Sequence, residues 1–287
     1  QMVEALRRED LFIAGCDIVM TDSMLFADVI LPAVSHFEHD DLYGAYGQHY
    51  VQRGVPAIPC VGDGLPNTEI FRRLAARFGY DDPIFKESDA ELMDAAMDGD
   101  DPRMQGFKPS QIPLDRALEM TAQGGGELIM CDTVMPTTPS GKIELFSSDL
   151  EKRFGYGVPR FEVVEQTRPY VLITPSSTKR INATFGGCEE SRGLEVLELH
   201  PDDATANGIK SGDVVTISND LGAVALEAFV SDAVRPGVFY SPKGPWFRSS
   251  PTGMTTNALI PSDIRSDIER GACYNETFVD ISVGEVQ

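Results

Sequence analysis

The sequence is short of the residues that most often announce chemistry. Cysteine is sparse and unpaired: Cys16, Cys60, Cys131, Cys188 and Cys273 fall in no C-x-x-C spacing, which argues against zinc or iron–sulfur ligation within the chain. An odd, dispersed set reads as reduced, mostly buried thiols and points to a cytoplasmic protein. Tryptophan occurs once and histidine four times. No apolar run approaches the ~20 residues that a bilayer span needs, so membrane insertion is not expected. Basic residues are outnumbered, 24 Lys and Arg against 45 Asp and Glu, for a net charge of −21. Such a field disfavours nucleic acid and anionic membranes as partners, while local loops and a few Arg residues still decide whether an anionic ligand binds. An initiating Met is missing too: the chain opens at Gln1 inside a predicted helix, MVEALRRED. That reads as a piece or a processed product of a longer protein, from which an export signal can have been lost.

What is present suffices for two domains and a core: 287 residues of ordinary hydrophobic content. The first part reads as α/β. Leu11–Ala14 is a short apolar run closed by Gly15, a buried-strand pattern. Thr21, Asp22 and Ser23 supply capping oxygens for a short helix, and Asp28–Leu31 is a second strand stopped at Pro32. Strand, short helix, strand implies a parallel pair, with Asp17 and Thr21 at the carboxyl end where such sheets take ligands. Residues 35–66 read as a long loop with three of the four His, a length that often accompanies function. Asn67–Phe78 predicts an amphipathic helix presenting Ile70, Leu74 and Phe78 and closed by Gly79. Residues 81–125 predict peripheral helices, and Pro136–Ser148 a turn followed by a strand.

From Pro169 the texture becomes all-β. Tyr170–Thr174, Val214–Ser218, Ala223–Val230 and Val238–Tyr240 read as strands. Pro201–Asn207 reads as a short helix begun by Pro and ended by Gly208, and Asn219–Gly222 as a hairpin turn. Short strands with regular turns predict a small closed barrel. The boundary falls in the polar stretch Arg153–Thr167, giving domains of 1–160 and 161–287. Between Leu172 and Asn257, hydroxyl-rich and Gly-rich loops sit at the ends of apolar strands, as around a polar, phosphate-bearing ligand. Nothing there reads as a nucleophile, a metal cage or an acid–base pair. Each candidate also has a plain structural reading: a helix cap for Ser176, Ser177 and Thr178, a turn for Asn182, a local backbone bond for Asn257, core filling for Trp246. His36, Glu38 and His39 fit no zinc spacing, and Arg72, Arg73 and Arg77 read as a helix surface.

Three segments in this order carry a resemblance. DIVMTDSMLFADVILPA (Asp17–Ala33) with Glu38 and Gly47 beyond it, TPSGKIELFS (Thr138–Ser147), and the Leu172–Asn257 region together resemble the carboxyl-terminal part of the dimethyl sulfoxide reductase superfamily of molybdopterin oxidoreductases, closest to its formate-dehydrogenase-like members. The resemblance implies part of an α/β third domain with a parallel sheet, followed by a carboxyl-terminal double-psi β-barrel that covers a bis-molybdopterin guanine dinucleotide carrying Mo or W. It implies cofactor contacts from Thr174, Pro175, Ser176, Ser177, Thr178, Arg180, Asn182 and Thr184. Further contacts would come from Lys243, Trp246, Asn257, Tyr274 and Asn275, and from Asp17 and Thr21 near a guanine nucleotide. Amides and hydroxyls suit a pyrophosphate, Arg adds a charged fork, and Asn matches the amide-like edge of a pterin. The family's iron–sulfur cluster and metal ligand belong to an amino-terminal half not found here. The resemblance therefore implies that this chain is inactive alone, with that missing half and an electron-transfer subunit as partners. A non-catalytic structural or partner-binding subunit on the same barrel is the alternative. An aspartate-decarboxylase-like barrel enzyme has less for it, since no self-processing Gly–Ser pair is evident.

Overall fold

The structure is a computed structural model that describes residues 2–44, 46–97, 100–122, 124–266, 268 and 271–284. Two compact units make it up, Leu6–Phe146 and Gln1–Ala5 together with Ser147–Gln287. The chain begins in helix α1 (Met2–Leu6).

In the Leu6–Phe146 unit, β1 (Ala14–Asp17) and β2 (Val29–Pro32) pair in parallel through a 3-10 turn at Ser23–Phe26. The strand, short helix, strand pattern is therefore present, but the first strand begins only at Ala14, the last residue of the predicted run, and of its residues only Gly15 is buried. The Asp28 carboxylate accepts the Ile13 N–H at 2.8 Å, so the ladder starts one residue later. The expected loop at 35–66 contains a hairpin instead: β3 (Asp41–Tyr43) and β4 (Tyr50–Gly54) pair antiparallel, and β5 (Leu118–Glu119) adds to β4. Strands as short as DLY and YVQRG show no alternation that a sequence reading can detect. Before the hairpin, the Glu38 carboxylate accepts from the Ser35 hydroxyl (2.5 Å), the Ser35 amide (2.8 Å) and the Val61 amide (2.7 Å). These bonds, the Ser35 hydroxyl foremost, hold its pKa below the ordinary carboxylate range.

Helix α2 (Asn67–Phe78) ends at Gly79 with φ +77, the left-handed stop its sequence calls for. Of its predicted face only Ile70 is buried, with Ala75; Leu74 and Phe78 are exposed. Arg72 is more than helix surface, since it donates to the Glu87 carbonyl (2.9 Å) and the Asp89 carboxylate (2.7 Å) at the start of α3 (Asp89–Ala96). The 81–125 stretch is only partly helical and gathers a small core of Met104, Ile112 and Leu118. The strand expected within Thr138–Ser147 is not formed: Ile143 and Leu145 are 68% and 84% exposed, and no described strand pairs with the segment. Its last residue instead caps α4 (Ser148–Phe154), Ser147 Oγ accepting the Leu150 N–H at 3.2 Å.

The Ser147–Gln287 unit is built on β6 (Tyr170–Ile173), β7 (Val196–Leu199), β8 (Val214–Asn219), β9 (Gly222–Val230), β10 (Val238–Tyr240) and β11 (Thr277–Val283). They close into a barrel in the order β10-β6-β11-β8-β9-β7. The β6–β10 and β7–β9 pairs are parallel, the others antiparallel, and Tyr240 against Glu198 closes the ring. Helix α5 (Pro201–Asn207) has Pro in its first turn and Gly208 at φ +66 beyond its end. Alternation sends Leu172, Leu197, Leu199, Val215, Ile217, Leu226, Phe239 and Val279 into one core, each such burial worth roughly 1.5–3 kcal/mol. Tyr170 stacks on Phe239 with ring centres 4.2 Å apart.

The thiols are not buried as expected. Cys16, Cys60, Cys131 and Cys188 are exposed, Cys273 is half-buried, and all are free. All but Cys16 lie in turns or loops, where no strand or helix face turns a side chain toward a core. Among the described residues no helix is long and apolar enough to cross a membrane.

Candidate functional site

β6 delivers the chain to a loop that is buried at its root and open at its tip. Thr174 is buried; Ser176, Thr178 and Lys179 are exposed, with Ser177 between. Ser177 Oγ accepts the Lys179 N–H at 3.2 Å, a hydroxyl-closed turn, and no helix follows, so the capping reading of these residues does not apply. Among the described residues, nothing bonds the amides of Ser176, Ser177 and Thr178 or the hydroxyls of Ser176 and Thr178. Several free N–H and O–H donors on one exposed turn make an anion-binding surface.

A second segment, after β10, is stitched to this loop. Its Ser241 amide donates to the Ile173 carbonyl (3.1 Å) and its Lys243 amide to the Pro175 carbonyl (3.0 Å). The Trp246 indole N–H reaches the Ala183 carbonyl at 2.7 Å, and the Ser249 hydroxyl the Gly186 carbonyl at 2.7 Å. Close approach is possible only because of glycine. A Cβ on Gly244, at φ +106, would stand 1.8 Å from the Asn182 carbonyl oxygen, and one on Gly187 2.4 Å from the Trp246 ring. Trp246 therefore packs over the Gly186–Gly187 backbone. Asn182 and Phe185 take positive φ, +52 and +69, conformations that persist only where neighbours enforce them.

The predicted site residues divide into three groups. Thr174 to Thr184, Lys243, Trp246, Tyr274 and Asn275 come together. The start of β11 opposite Leu172 brings Tyr274 and Asn275 beside the end of β6. The Lys243 ammonium lies 5.7 Å from the centre of the Tyr274 ring, a cation–π distance. Asn275 shares with Val171, Ile173, Val238 and Tyr240 the lining of a cleft of about 470 Å³. Asn257 stands apart, in a 3-10 turn packed against β9, and it is exposed. Asp17 and Thr21 lie in the other unit at the carboxyl end of β1, where Asp17 caps the Ile18 amide at 2.8 Å.

Arg180 differs from its neighbours in being 4% exposed. Its guanidinium forks onto both Glu195 oxygens (2.9 and 2.6 Å), donates to the Lys243 carbonyl (3.3 Å) and lies 3.4 Å from Ser191 Oγ. Glu195, Ser191 and Ser249 were not visible in the sequence as site residues. The paired Gly186–Gly187 and Gly244 were the available signal, since a conspicuous Gly marks close backbone approach. No cluster of three or more His, Cys, Asp or Glu able to hold a metal occurs among the described residues.

Comparison with known proteins agrees with this geometry. Residues 170–278, which contain five of the barrel strands, the start of β11 and both stitched segments, match the molydopterin dinucleotide binding domain, and residues 1–77 match the molybdopterin oxidoreductase family. The chain is 34% identical over 278 residues to a probable oxidoreductase, YoaE, of Bacillus subtilis, covering 94% of this chain and 40% of that protein. It is 29% identical over 283 residues to trimethylamine-N-oxide reductase 1 of Escherichia coli, covering 86% and 33%. The fold superposes on acetylene hydratase from Pelobacter acetylenicus with a TM-score of 0.75 at 21% identity, covering 98% of this chain and 41% of the hydratase. The chain thus spans well under half the length of these relatives. With both family models matched and these relatives aligned along most of its length, the chain belongs to the molybdopterin oxidoreductases of the dimethyl sulfoxide reductase superfamily.

Proposed function

We propose that the loop from Thr174 to Thr184, with Lys243, Trp246, Tyr274 and Asn275, binds a bis-molybdopterin guanine dinucleotide carrying Mo or W. One observation carries this reading: the unpartnered amides of Ser176, Ser177 and Thr178 share an exposed turn with free hydroxyls. That donor set fits a pyrophosphate. Lys243, whose amide is bonded to the Pro175 carbonyl of the same loop, and the exposed Lys179 add positive charge to these two segments of an acidic protein. Asn275, which lines the cleft together with Arg235, suits the amide-like edge of a pterin. Asn257, Asp17 and Thr21 are proposed contacts at the nucleotide ends. When bound, the metallopterin supplies two-electron redox chemistry; this chain's residues bind it, orient it and screen it from water.

We further propose domains of 1–160 and 161–287, the second a double-psi barrel. An iron–sulfur cluster, where the whole protein has one, would lie outside this chain, along with an electron-transfer partner, and the chain would be inactive alone. The whole protein is proposed to act on a small molecule. Trimethylamine-N-oxide and thiosulfate reductases among the relatives support reduction of an oxide or sulfur oxyanion over the formate-dehydrogenase-like placement, which rests on motif texture. The test is release of bound pterin from the purified protein by denaturation, with pterin nucleotide and metal counted per polypeptide. Near-stoichiometric pterin in the natural protein, reduced in Ser177→Ala and Lys243→Ala, is expected. A protein purified without pterin, or variants that keep the full amount, would overturn the assignment.

A further inference from the structure

Arg180 is by type the residue of its loop best suited to a phosphate, yet it does not face solvent. Its side chain is 2% exposed, against 16% for Glu195. Both Glu195 oxygens take its terminal nitrogens, and its other bonds reach the Lys243 carbonyl and Ser191 Oγ. A bidentate pair of this kind cancels its own charge, so Arg180 adds no net positive field at the loop surface; Lys179 and Lys243 do. The bonds join three segments: the donor loop, the strand-leading stretch at 191–195 and, 63 residues on, the segment after β10. Just beyond Arg180, Asn182 holds φ +52 and its carbonyl lies against Gly244. A left-handed non-glycine residue under so close a contact keeps its conformation only if its surroundings fix it. The Arg180 brace is adjacent.

Resting on the cofactor reading above, we propose that Glu195 is a positioning residue. Through Arg180 it locks the 174–187 loop onto the 241–249 segment, and so aims the free amides of Ser176 to Thr178 at the dinucleotide. Residues that orient a ligand's direct contacts typically change affinity by about 10–100-fold when removed.

The test uses the intact natural protein with Glu195→Ala, Glu195→Gln, Arg180→Met and the Ala/Met double variant. Two quantities are read: pterin nucleotide per polypeptide, and the rate of tryptic cleavage after Lys179. Glu195→Ala and Arg180→Met are each expected to lower pterin roughly tenfold and to speed cleavage, with the double variant no worse than either. Glu195→Gln keeps one acceptor oxygen and falls between wild type and Glu195→Ala in both readouts. Should Glu195→Ala fail to accumulate, Glu195→Gln decides: wild-type pterin with wild-type cleavage overturns the proposal. Leu172→Ala serves as the purely structural control. If it loses as much pterin as Glu195→Ala at the same fall in melting temperature, Glu195 serves the fold alone and the proposal falls. Pterin lost in Arg180→Met but kept in Glu195→Ala would mean that Arg180 touches the cofactor directly, which also overturns it. A natural protein without pterin, or Ser177→Ala and Lys243→Ala with full pterin, removes the cofactor reading itself, a result separate from any behaviour of the Glu195 variants.

Discussion

Gly244→Ala is the sharpest probe of the stitched loops. The residue sits at φ +106, and an added Cβ would stand 1.8 Å from the Asn182 carbonyl oxygen and 3.5 Å from the Arg180 Cβ. Holding an alanine at such a φ costs about 1–3 kcal/mol. The contact with the backbone oxygen cannot be relieved by a side-chain rotation, so the two segments must part. Parting them loosens the Lys243 amide to Pro175 carbonyl bond and the Arg180 to Lys243 carbonyl bond, each worth roughly 1 kcal/mol net. The sum is about 3–5 kcal/mol, or roughly 9–15 °C in melting temperature at about 3 °C per kcal/mol. Gly253 is the matched control: it also has positive φ, +68, but its Cβ would meet nothing within 4 Å. Gly253→Ala should therefore cost only about 1 kcal/mol. Trp246, the single tryptophan of the chain, lies inside the stitch, so thermal unfolding followed by its fluorescence reports on it directly. If Gly244→Ala melts with Gly253→Ala, the close approach is not what holds these loops, and the reasoning fails.

Other perturbations follow from the same structure. Phe239 is wholly buried in the barrel core and stacked on Tyr170; Phe239→Ala should lose about 3–5 kcal/mol in a denaturant titration, and a loss under 1 kcal/mol would contradict the packing. Asp101 is held down to about 2 by hydrogen bonds from Arg103, and Glu38 is lowered by its Ser35 and Val61 bonds. Both carboxylates therefore add stability that is complete above their ordinary values of 3.8 and 4.5 and is lost as pH falls through the lowered ones. Melting of the wild type should decline below about pH 4.5, and Glu38→Gln should flatten the upper part of that decline; an unchanged pH profile would count against the Glu38 stitch.

Much of the architecture was legible because local chemistry dictates it. Pro201 and Gly208 bracket α5, Asn219–Gly222 turns β8 into β9, and alternation around Leu172 and Phe239 marks barrel strands whatever their neighbours. The order of the three motifs pointed to the family, and the hydroxyl-rich loop after β6 was visible as a polar run at a strand end. Other features depended on neighbours. KIELFS has the composition of a strand but finds no partner, while DLY and YVQRG are too short to announce themselves and pair only because the chain folds back. Leu74 and Phe78 have helical spacing, yet both are left exposed, with Tyr80 stacked on the Phe78 ring. Period and turn chemistry are properties of adjacent residues, so the sequence alone determined β6, β8, β9 and β10, the glycine stops of α2 and α5 and the hydroxyl-rich loop, whereas β7 and β11, which complete the ring, were not read as strands. Which backbone crosses Gly244 depends on the fold bringing together segments more than sixty residues apart, and no local pattern announces that Arg180 pairs with Glu195, fifteen residues on; only the tertiary structure decided that Arg180 is buried against Glu195 while the amides of Ser176 to Thr178 are left unbonded among the described residues.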